Sequence, residues 1–399
     1  MANTLTIDDI STVVNAVLTN AQGGSATANT GDFTTVAQLA QLQGYDPLNT
    51  AISQVLSKTI FSYRPYSAKF QGLYKDEIRW GNKVRKLNPI DKPVEVDNRL
   101  REDNGTLLAD GVSIDPWKIN KPEVLETAFY GMQEYQKSMT VWKDQLDVAF
   151  QSPEQFGNFL TMMMGNASDQ LEQAREDLAR GTVVNLIGAA SQNSAQVVHL
   201  ITEYNAASGA TLDGQSVYLP ANFRPFMQWV FARLRTIIDR MTERSYLYHM
   251  NPYKGGAQKL INRHTPIANQ KCYMLADFIN KSETMAIAEI FHDDYLKFMD
   301  YEKVNFWQRL AAPGSISTTI SYLDAGSAQT DSAVSSIAFA SDAVVGVIFD
   351  EDAAGINLGS QWAGATPLNM RGGYTNYFWH ERARHFIDQT ENCVVLCLD

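Results

Sequence analysis

One segment of the sequence, residues 64–126, is too polar to form a hydrophobic core of its own. It carries 12 Lys and Arg and 11 Asp and Glu among 63 residues, against 54 charged residues in the other 336. Prolines interrupt its short apolar pieces, and Asn104-Gly105 and Asp110-Gly111 are turn signals. Because a connection of about 60 residues is far longer than usual, we predict a functional two-stranded excursion. Its balanced charges suit pairing with a neighbouring subunit better than binding to one charged polymer.

The composition of the whole chain is that of a globular protein. With 45% hydrophobic and 19% charged residues, wholesale disorder is excluded. The net charge of -11 argues against a protein that grips nucleic acid by neutralising phosphates. Met1–Ile10 has no basic residue, which argues against a secretory signal, and no apolar run approaches the ~18 residues of a membrane helix. We therefore expect a soluble cytosolic product whose three cysteines are buried and reduced.

Residues 153–180 predict a long amphipathic helix. Ser152 is a good N-cap, Pro153 suits the first helical position, and apolar residues then recur three and four apart through this range. Gly181 offers a left-handed stop. A second apolar stripe predicts a helix over residues 221–243.

Short apolar runs predict strands between these helices and near the end of the sequence. Helices and strands mix without the regular alternation of a parallel α/β sheet, so the predicted fold class is α+β. The predicted strands cover residues 217–219, 343–349, 376–380 and 393–397, and residues 272–275 fit either a short strand or a helix.

No group of residues has the spacing of a catalytic or ligand-binding motif. His380 and His385 are five residues apart, whereas two zinc ligands on one helical face are four apart. The acidic run 350–352 follows an apolar strand and is interpreted as a solvated strand end, and residues 292–294 as a solvated turn. Cys272 has no histidine adjacent in sequence that could act as its base. We therefore predict no catalytic residue, no cofactor and no metal.

The order of these parts resembles the major capsid proteins of tailed bacteriophages, which have the Hong Kong 97 fold. An arm rich in Ala, Gly, Asn and Thr is followed by the charged excursion, the capped long helix, a mixed region and an aromatic strand. That strand, Asn376-Tyr377-Phe378-Trp379-His380, lies among arginines and looks especially like the capsid proteins of small podophages. The resemblance implies an N-terminal arm and lead-in at residues 1–60, an extended loop at 61–130, a peripheral domain at 131–190 with its spine helix at 153–180, an axial domain at 191–360 and a return to the peripheral sheet at 361–399.

The resemblance also implies a function and partners. The chain would assemble with other copies of itself, as pentamers and hexamers, into the icosahedral shell that encloses a double-stranded DNA genome. Scaffolding, portal and decoration proteins would be further partners, and packaged DNA would lie nearby without sequence-specific binding. The protein would be made and assembled in the host bacterial cytoplasm and would reside in the virion capsid, with no membrane partner. The charged residues expected at subunit interfaces are Arg79, Arg99, Arg101, Glu102 and Asp103.

Two other functions stay open from the residues alone. One is a different virion structural protein that forms a tail or rings. The other is a soluble hydrolase that uses distant carboxylates, or a metal held by His380, His385, His292 and Asp293. The symmetry of the assembled particle separates the first alternative from a shell, and the metal content of the protein tests the second.

Overall fold

The computed structural model describes ten stretches of the chain, which belong to two compact units. Unit 1 consists of the described residues of Met1–Gly81, Gly131–Val183 and Gly355–Phe386, and unit 2 of those of Asn82–Tyr130, Val184–Ala354 and Ile387–Asp399. The predicted arm at residues 1–60 lies outside the described stretches. These stretches are residues 70–75, 83–90, 106–113, 117, 121, 123–130, 132–144, 153–286, 300–308 and 315–399.

Helices in the described stretches include one that is far longer than the others. The α-helices are α1 (Pro153–Ala190), α2 (Leu200–Ser208), α3 (Pro220–Thr242) and α4 (Ala276–Ala286). Single 3-10 turns lie at Gln71–Leu73, Ser194–Gln196, Ser216–Tyr218 and Ile267–Asn269. Within the described residues, no helix is both long and apolar enough to cross a membrane.

Helix α1 is ten residues longer than the predicted range of 153–180. The expected stop at Gly181 is wrong, because the apolar residues that follow it, from Val183 to Ala190, are almost all buried. A glycine inside a helix costs about 1 kcal/mol relative to alanine, and the burial of several large side chains beyond it outweighs that cost. Tertiary packing therefore decides where this helix ends.

Among the described residues, the strands form two larger sheets and three two-stranded ones. The four-stranded sheet has the order β1-β13-β14-β4, and the five-stranded sheet has the order β5-β15-β12-β8-β9. The two-stranded sheets pair β2 with β3, β6 with β7 and β10 with β11. In chain order the strands are β1 (Tyr74–Lys75), β2 (Lys83–Pro89), β3 (Val124–Tyr130), β4 (Gln133–Trp142), β5 (Val197–His199), β6 (Tyr253–Lys254), β7 (Ala257–Gln258), β8 (Gln270–Leu275), β9 (Glu302–Val304), β10 (Ile316–Asp324), β11 (Ala333–Ser341), β12 (Val344–Asp350), β13 (Ala354–Ala365), β14 (Tyr374–Ile387) and β15 (Cys393–Cys397).

Unit 1 is built on the four-stranded sheet. β14 pairs antiparallel with β4, with Tyr374 opposite Trp142, and β1 pairs parallel with β13. Because successive side chains of a strand point to opposite faces, alternate residues of β14 such as Tyr377 and Trp379 are buried, while Phe378 between them is partly exposed. The aromatic strand predicted at residues 376–380 is therefore the first part of a much longer strand.

Unit 2 is built on the five-stranded sheet, whose central strand β12 is buried at every position. β12 pairs antiparallel with both β15 and β8, which confirms the buried strand predicted at residues 343–349 and shows that residues 272–275 form a strand rather than a helix. The expectation that residues 361–399 return to a single peripheral sheet is wrong. β14 pairs with β4 in unit 1, whereas β15 pairs with β12 in unit 2.

One predicted strand is absent from the described residues. The apolar run 217–219 forms a 3-10 turn at Ser216–Tyr218 instead, directly before α3. Pro220 lies at the first helical position of α3, which ties this run to the start of a helix and leaves it no room to extend as a strand.

Candidate functional site

The five residues predicted at subunit interfaces, Arg79, Arg99, Arg101, Glu102 and Asp103, all lie outside the described residues. The structure therefore neither brings them together nor separates them. What it describes is the base of the charged segment, where β2 and β3 meet the rest of unit 2. The candidate functional site is this base.

The two strands at the base form a regular antiparallel pair. Lys83 lies opposite Tyr130 at one end, and Pro89 lies opposite Val124 at the other. The Arg85 guanidinium donates from Nε and Nη2 to the two Glu126 carboxylate oxygens, both at 2.8 Å. This ion pair joins one strand to the other on an exposed face, where such pairs contribute about 0–1 kcal/mol.

Lys86 lies on the opposite face of β2 and points into unit 2. Its Nζ is 2.7 Å from Asp388 Oδ2 and also donates to Glu391. The Lys86 side chain is 25% exposed, whereas the Asp388 side chain is only 2% exposed. Burial alone would lower the pKa of Lys86, but the two carboxylates outweigh it and hold that pKa above its ordinary value. Lys86 is therefore a charged residue held in place by carboxylates that belong to another part of unit 2.

Arg263 completes this cluster from the segment that follows α3. Its Nη2 donates to Asn88 Oδ1 at 2.8 Å and lies 3.2 Å from Glu391 Oε1, and its Nε donates to the Thr390 carbonyl oxygen at 2.9 Å. Burial raises the pKa of Glu391, against the opposing charges of Lys86 and Arg263. Two cations thus face two buried or nearly buried carboxylates, and Asn88 on β2 shares one of the cations.

The carboxylates come from a polar segment that is buried throughout, residues 388–392, which we call the connector. It lies between β14 and β15, and each of its five residues is less than 9% exposed. Gln389 donates from Nε2 to the Ala189 carbonyl at 3.0 Å and accepts from the Leu323 amide. Asn392 donates to Thr265 Oγ1 at 3.1 Å. The connector therefore ties together the end of α1, β10, the segment after α3 and the charged base.

Sequence reasoning missed both Lys86 and the connector. Lys86 is one of 12 basic residues in the charged segment, and nothing in its spacing marks it. The connector has the composition of an exposed turn between two strands, Asp388-Gln389-Thr390-Glu391-Asn392. Its length gives no signal either, because five residues is an ordinary length for a connection between two strands.

The residues weighed for catalysis do not converge in the described part of the chain. His380 stacks on Trp362 with ring centroids 3.8 Å apart, and His385 lies five residues further along β14, so the two side chains point to opposite faces. Among the described residues, no three His, Cys, Asp or Glu side chains lie close enough together to hold a metal ion. Residues 292–294 lie outside the described residues.

The three thiols are buried and free. Burial raises the pKa values of Cys272 and Cys393 well above that of an ordinary thiol. Burial, helped by the nearby Asp399 carboxylate, raises the pKa of Cys397 to about 12. Since the thiolate is the reactive form, these side chains are poor nucleophiles, in agreement with the expectation of buried, reduced cysteines.

The acidic run 350–352 differs from the prediction of a solvated strand end. Asp350 is buried, and its Oδ2 accepts a hydrogen bond from Thr265 Oγ1 at 2.7 Å. Its Oδ1 accepts from the Asp352 amide at 2.8 Å, which closes the turn after β12. Asp350 is therefore a structural carboxylate with its hydrogen-bond acceptors occupied.

Comparison with known proteins gives one family and a common fold. The family model described as Phi29-like phage major capsid protein matches residues 10–397. A chain from the capsid structure of Staphylococcus phage Andhra is 13% identical, with a TM-score of 0.53 and 84% of each chain covered. A chain from the structure of head fiber and inner core protein gp22 of native bacteriophage P68 is 12% identical, with a TM-score of 0.54, 84% of this chain and 85% of that chain covered. No curated protein matches the sequence.

Proposed function

The chain belongs to the Phi29-like phage major capsid protein family, and from this membership we propose how its parts serve a shell. It is a major capsid protein of the virion with the α+β Hong Kong 97 fold, and it forms the capsid from copies of itself. The observation that carries this function is the extent of the family match, since residues 10–397 include the charged segment, the long helix and both sheets.

We propose that the copies associate as pentamers and hexamers of an icosahedral shell around double-stranded DNA. A subunit of such a shell needs large contact surfaces and no active site. The net charge of -11 supports this role, because a wall without a strong basic field lets DNA pack without sticking to it.

The charged segment is proposed as one of the contact surfaces. Its 12 basic and 11 acidic residues give it almost no net charge, so it suits an equally mixed surface on a neighbouring copy. Exposed ion pairs contribute about 0–1 kcal/mol each, so they set register by their number and arrangement. The residues proposed for these pairs are Arg79, Arg99, Arg101, Glu102 and Asp103.

Further partners belong to the same proposal. A closed shell that fills with DNA needs an entry point and a guide for its curvature, so we include portal and scaffolding proteins, and decoration proteins on the outside. Assembly would take place in the cytoplasm of the bacterial host. The three reduced cysteines support assembly in a reducing compartment.

The test is to express the chain alone, image the soluble material by negative-stain electron microscopy and size it by light scattering. Shells, curved sheets, or pentamers and hexamers are expected. Tubes, or rings of another symmetry, would contradict the shell and point to a tail component. A monodisperse small species is to be imaged again after co-expression with the proposed scaffolding protein, and a failure to assemble then would also count against the proposal.

A further inference from the structure

We propose that Lys86 anchors the paired strands β2 and β3 to the rest of unit 2. It thereby sets the direction in which the charged segment extends from these strands. The role is one of positioning: Lys86 acts on assembly through the placement of the segment and does not itself contact a neighbouring copy. The inference rests on the proposed role of the charged segment at subunit interfaces.

The first step is that the paired strands cannot orient themselves. β2 ends at Pro89 and β3 begins at Val124, so this one pair of strands holds both ends of the part of the charged segment that lies between them. An isolated pair of strands is marginally stable at best in water. Its direction is therefore set by the body to which it is fastened.

The second step is that the two faces of β2 have different partners. Arg85 and Lys86 are consecutive, so their side chains point to opposite faces of the strand. Arg85, whose side chain is 59% exposed, pairs with Glu126 on β3, and this ion pair links the two strands to each other. Lys86 pairs with Asp388 and Glu391 of the connector, which holds the pair of strands to the rest of unit 2.

The third step is that Lys86 is not the only contact between the paired strands and the rest of unit 2. Asn88 is two residues from Lys86 and therefore lies on the same face of β2. It accepts from Arg263, whose guanidinium also bonds the Thr390 carbonyl, and its own Nδ2 lies 3.5 Å from Thr390 Oγ1. At the start of β3, Glu123 pairs with Lys259 at 2.8 Å. Contacts at both strands thus hold the pair in one orientation relative to the rest of unit 2.

The fourth step is that Lys86 cannot be replaced by a residue of similar length without charge. Asp388 is buried and shares its other oxygen with Thr390, whose amide donates at 2.9 Å and whose hydroxyl donates at 2.7 Å. Removing the ammonium group leaves two carboxylates with a reduced counter-charge in a site with little solvent. Those carboxylates then repel each other, and the face of β2 loses its link to the connector.

The experiment compares Lys86→Met with the matched control Arg85→Met, the adjacent residue on the opposite face. Shell yield is measured by sedimentation and electron microscopy, and hydrogen exchange is followed for residues 83–90 and 123–130. We expect Lys86→Met to lower shell yield by about tenfold or more, with faster exchange in both stretches. Arg85→Met is expected to assemble like the wild type, because its pair with Glu126 is exposed and does not involve the connector.

A third variant separates positioning from stability. Lys86→Met combined with Asp388→Asn removes one cation and one carboxylate and keeps the Arg263–Glu391 pair, so it is expected to melt within a few degrees of the wild type. It still lacks the charged link, so its exchange stays fast and its shell yield stays low. Recovery of shell yield together with melting temperature in this variant would overturn the proposal, and so would wild-type exchange and assembly in Lys86→Met.

Failure of the proposed function would give a different result. Normal shells from a chain that lacks residues 95–115 would refute the interface role of the charged segment. The exchange measurement on the full-length Lys86→Met protein would still report whether Lys86 anchors the base. If Lys86→Met alone fails to fold, the double variant Lys86→Met with Asp388→Asn carries the test.

Discussion

Arg175 on α1 and Glu381 on β14 form a two-armed ion pair inside unit 1. Nε of Arg175 donates to Oε1 of Glu381 at 2.7 Å, and Nη2 donates to Oε2 at 2.8 Å. The Glu381 side chain is only 3% exposed, and Glu172 lies 3.4 Å from the same guanidinium. Burial alone would lower the pKa of Arg175, but its bonds to Glu381 hold that pKa above its ordinary value. This pair fastens the long helix to the strand predicted from its aromatic residues.

Breaking this pair from one side should destabilise the protein strongly. Glu381→Gln or Arg175→Met leaves one buried charge without its partner, which typically costs about 3–5 kcal/mol. The double variant Arg175→Met with Glu381→Leu should recover much of that loss, because neither charge is then buried alone. Urea denaturation of the four proteins measures the effect. Single variants as stable as the wild type would show that the pair contributes nothing.

Two of the four glycines of α1, Gly181 and Gly188, should respond oppositely to alanine. Nothing lies within 4 Å of a Cβ at Gly181, so Gly181→Ala should stabilise the helix by about 0.5–1 kcal/mol. At Gly188 a Cβ would lie 2.7 Å from two atoms of Ile320, so Gly188→Ala should destabilise by about 1–3 kcal/mol. Thermal melting of both variants checks this. A Gly188→Ala protein that melts at or above the wild-type temperature would contradict the close packing of α1 on β10.

Acid should destabilise unit 2 through His249. Its Nε2 lies 2.6 Å from the Ile261 carbonyl oxygen. Burial lowers the pKa of His249, and the nearby charge of Arg263 lowers it further, which together outweigh the hydrogen bonds that would raise it. Because the unfolded chain then binds the proton more readily, the stability that His249 contributes is present above about pH 6.5 and is lost as the pH falls through the lowered value.

His249→Gln should therefore flatten this part of the pH dependence. The measurement is the urea midpoint of both proteins at about pH 7.5 and pH 5. The variant should lose less stability than the wild type between the two. Equal losses in the two proteins would show that His249 does not titrate in this range.

Deleting residues 95–115 should leave a soluble subunit that does not build shells, because the proposed contact surface is gone. A milder variant neutralises Arg99, Arg101, Glu102 and Asp103 by substitution with Gln or Asn while keeping the length of the segment. Since exposed pairs contribute about 0–1 kcal/mol each, this variant should assemble with a reduced yield. Electron microscopy and sedimentation measure both. Normal shells from the deletion would remove the segment from the interface.

Much of the fold follows from local patterns in the sequence. The apolar runs that became β8, β12 and β15 are buried in the sheet of unit 2, and the apolar stripe of α3 faces its core. These predictions succeed because the apolar side chains of a continuous run or of a helical stripe can be buried in only a few arrangements of the backbone. The predicted end of α1 was wrong because Gly181 is a local signal, whereas the burial of the residues beyond it depends on strands that are distant in sequence.

The candidate site was less accessible to prediction than the fold. The charged segment stands out by composition, yet the residue that fastens its base, Lys86, has partners some 300 residues away in sequence. The connector likewise has the amino-acid composition of a solvated turn, and it is buried only because residues distant in sequence pack around it. Polar residues carry no periodic signal for burial, so contacts of this kind need three-dimensional coordinates.

The bond between Lys86 and Asp388 also imposes an order in time. The two residues are 302 positions apart, and a ribosome adds about 5–20 residues per second. Lys86 is therefore made about 15–60 s before its partner Asp388. The link between the charged segment and the connector can thus form only when synthesis of the chain is almost complete, later than the contacts of Asn88 with Arg263 and of Glu123 with Lys259.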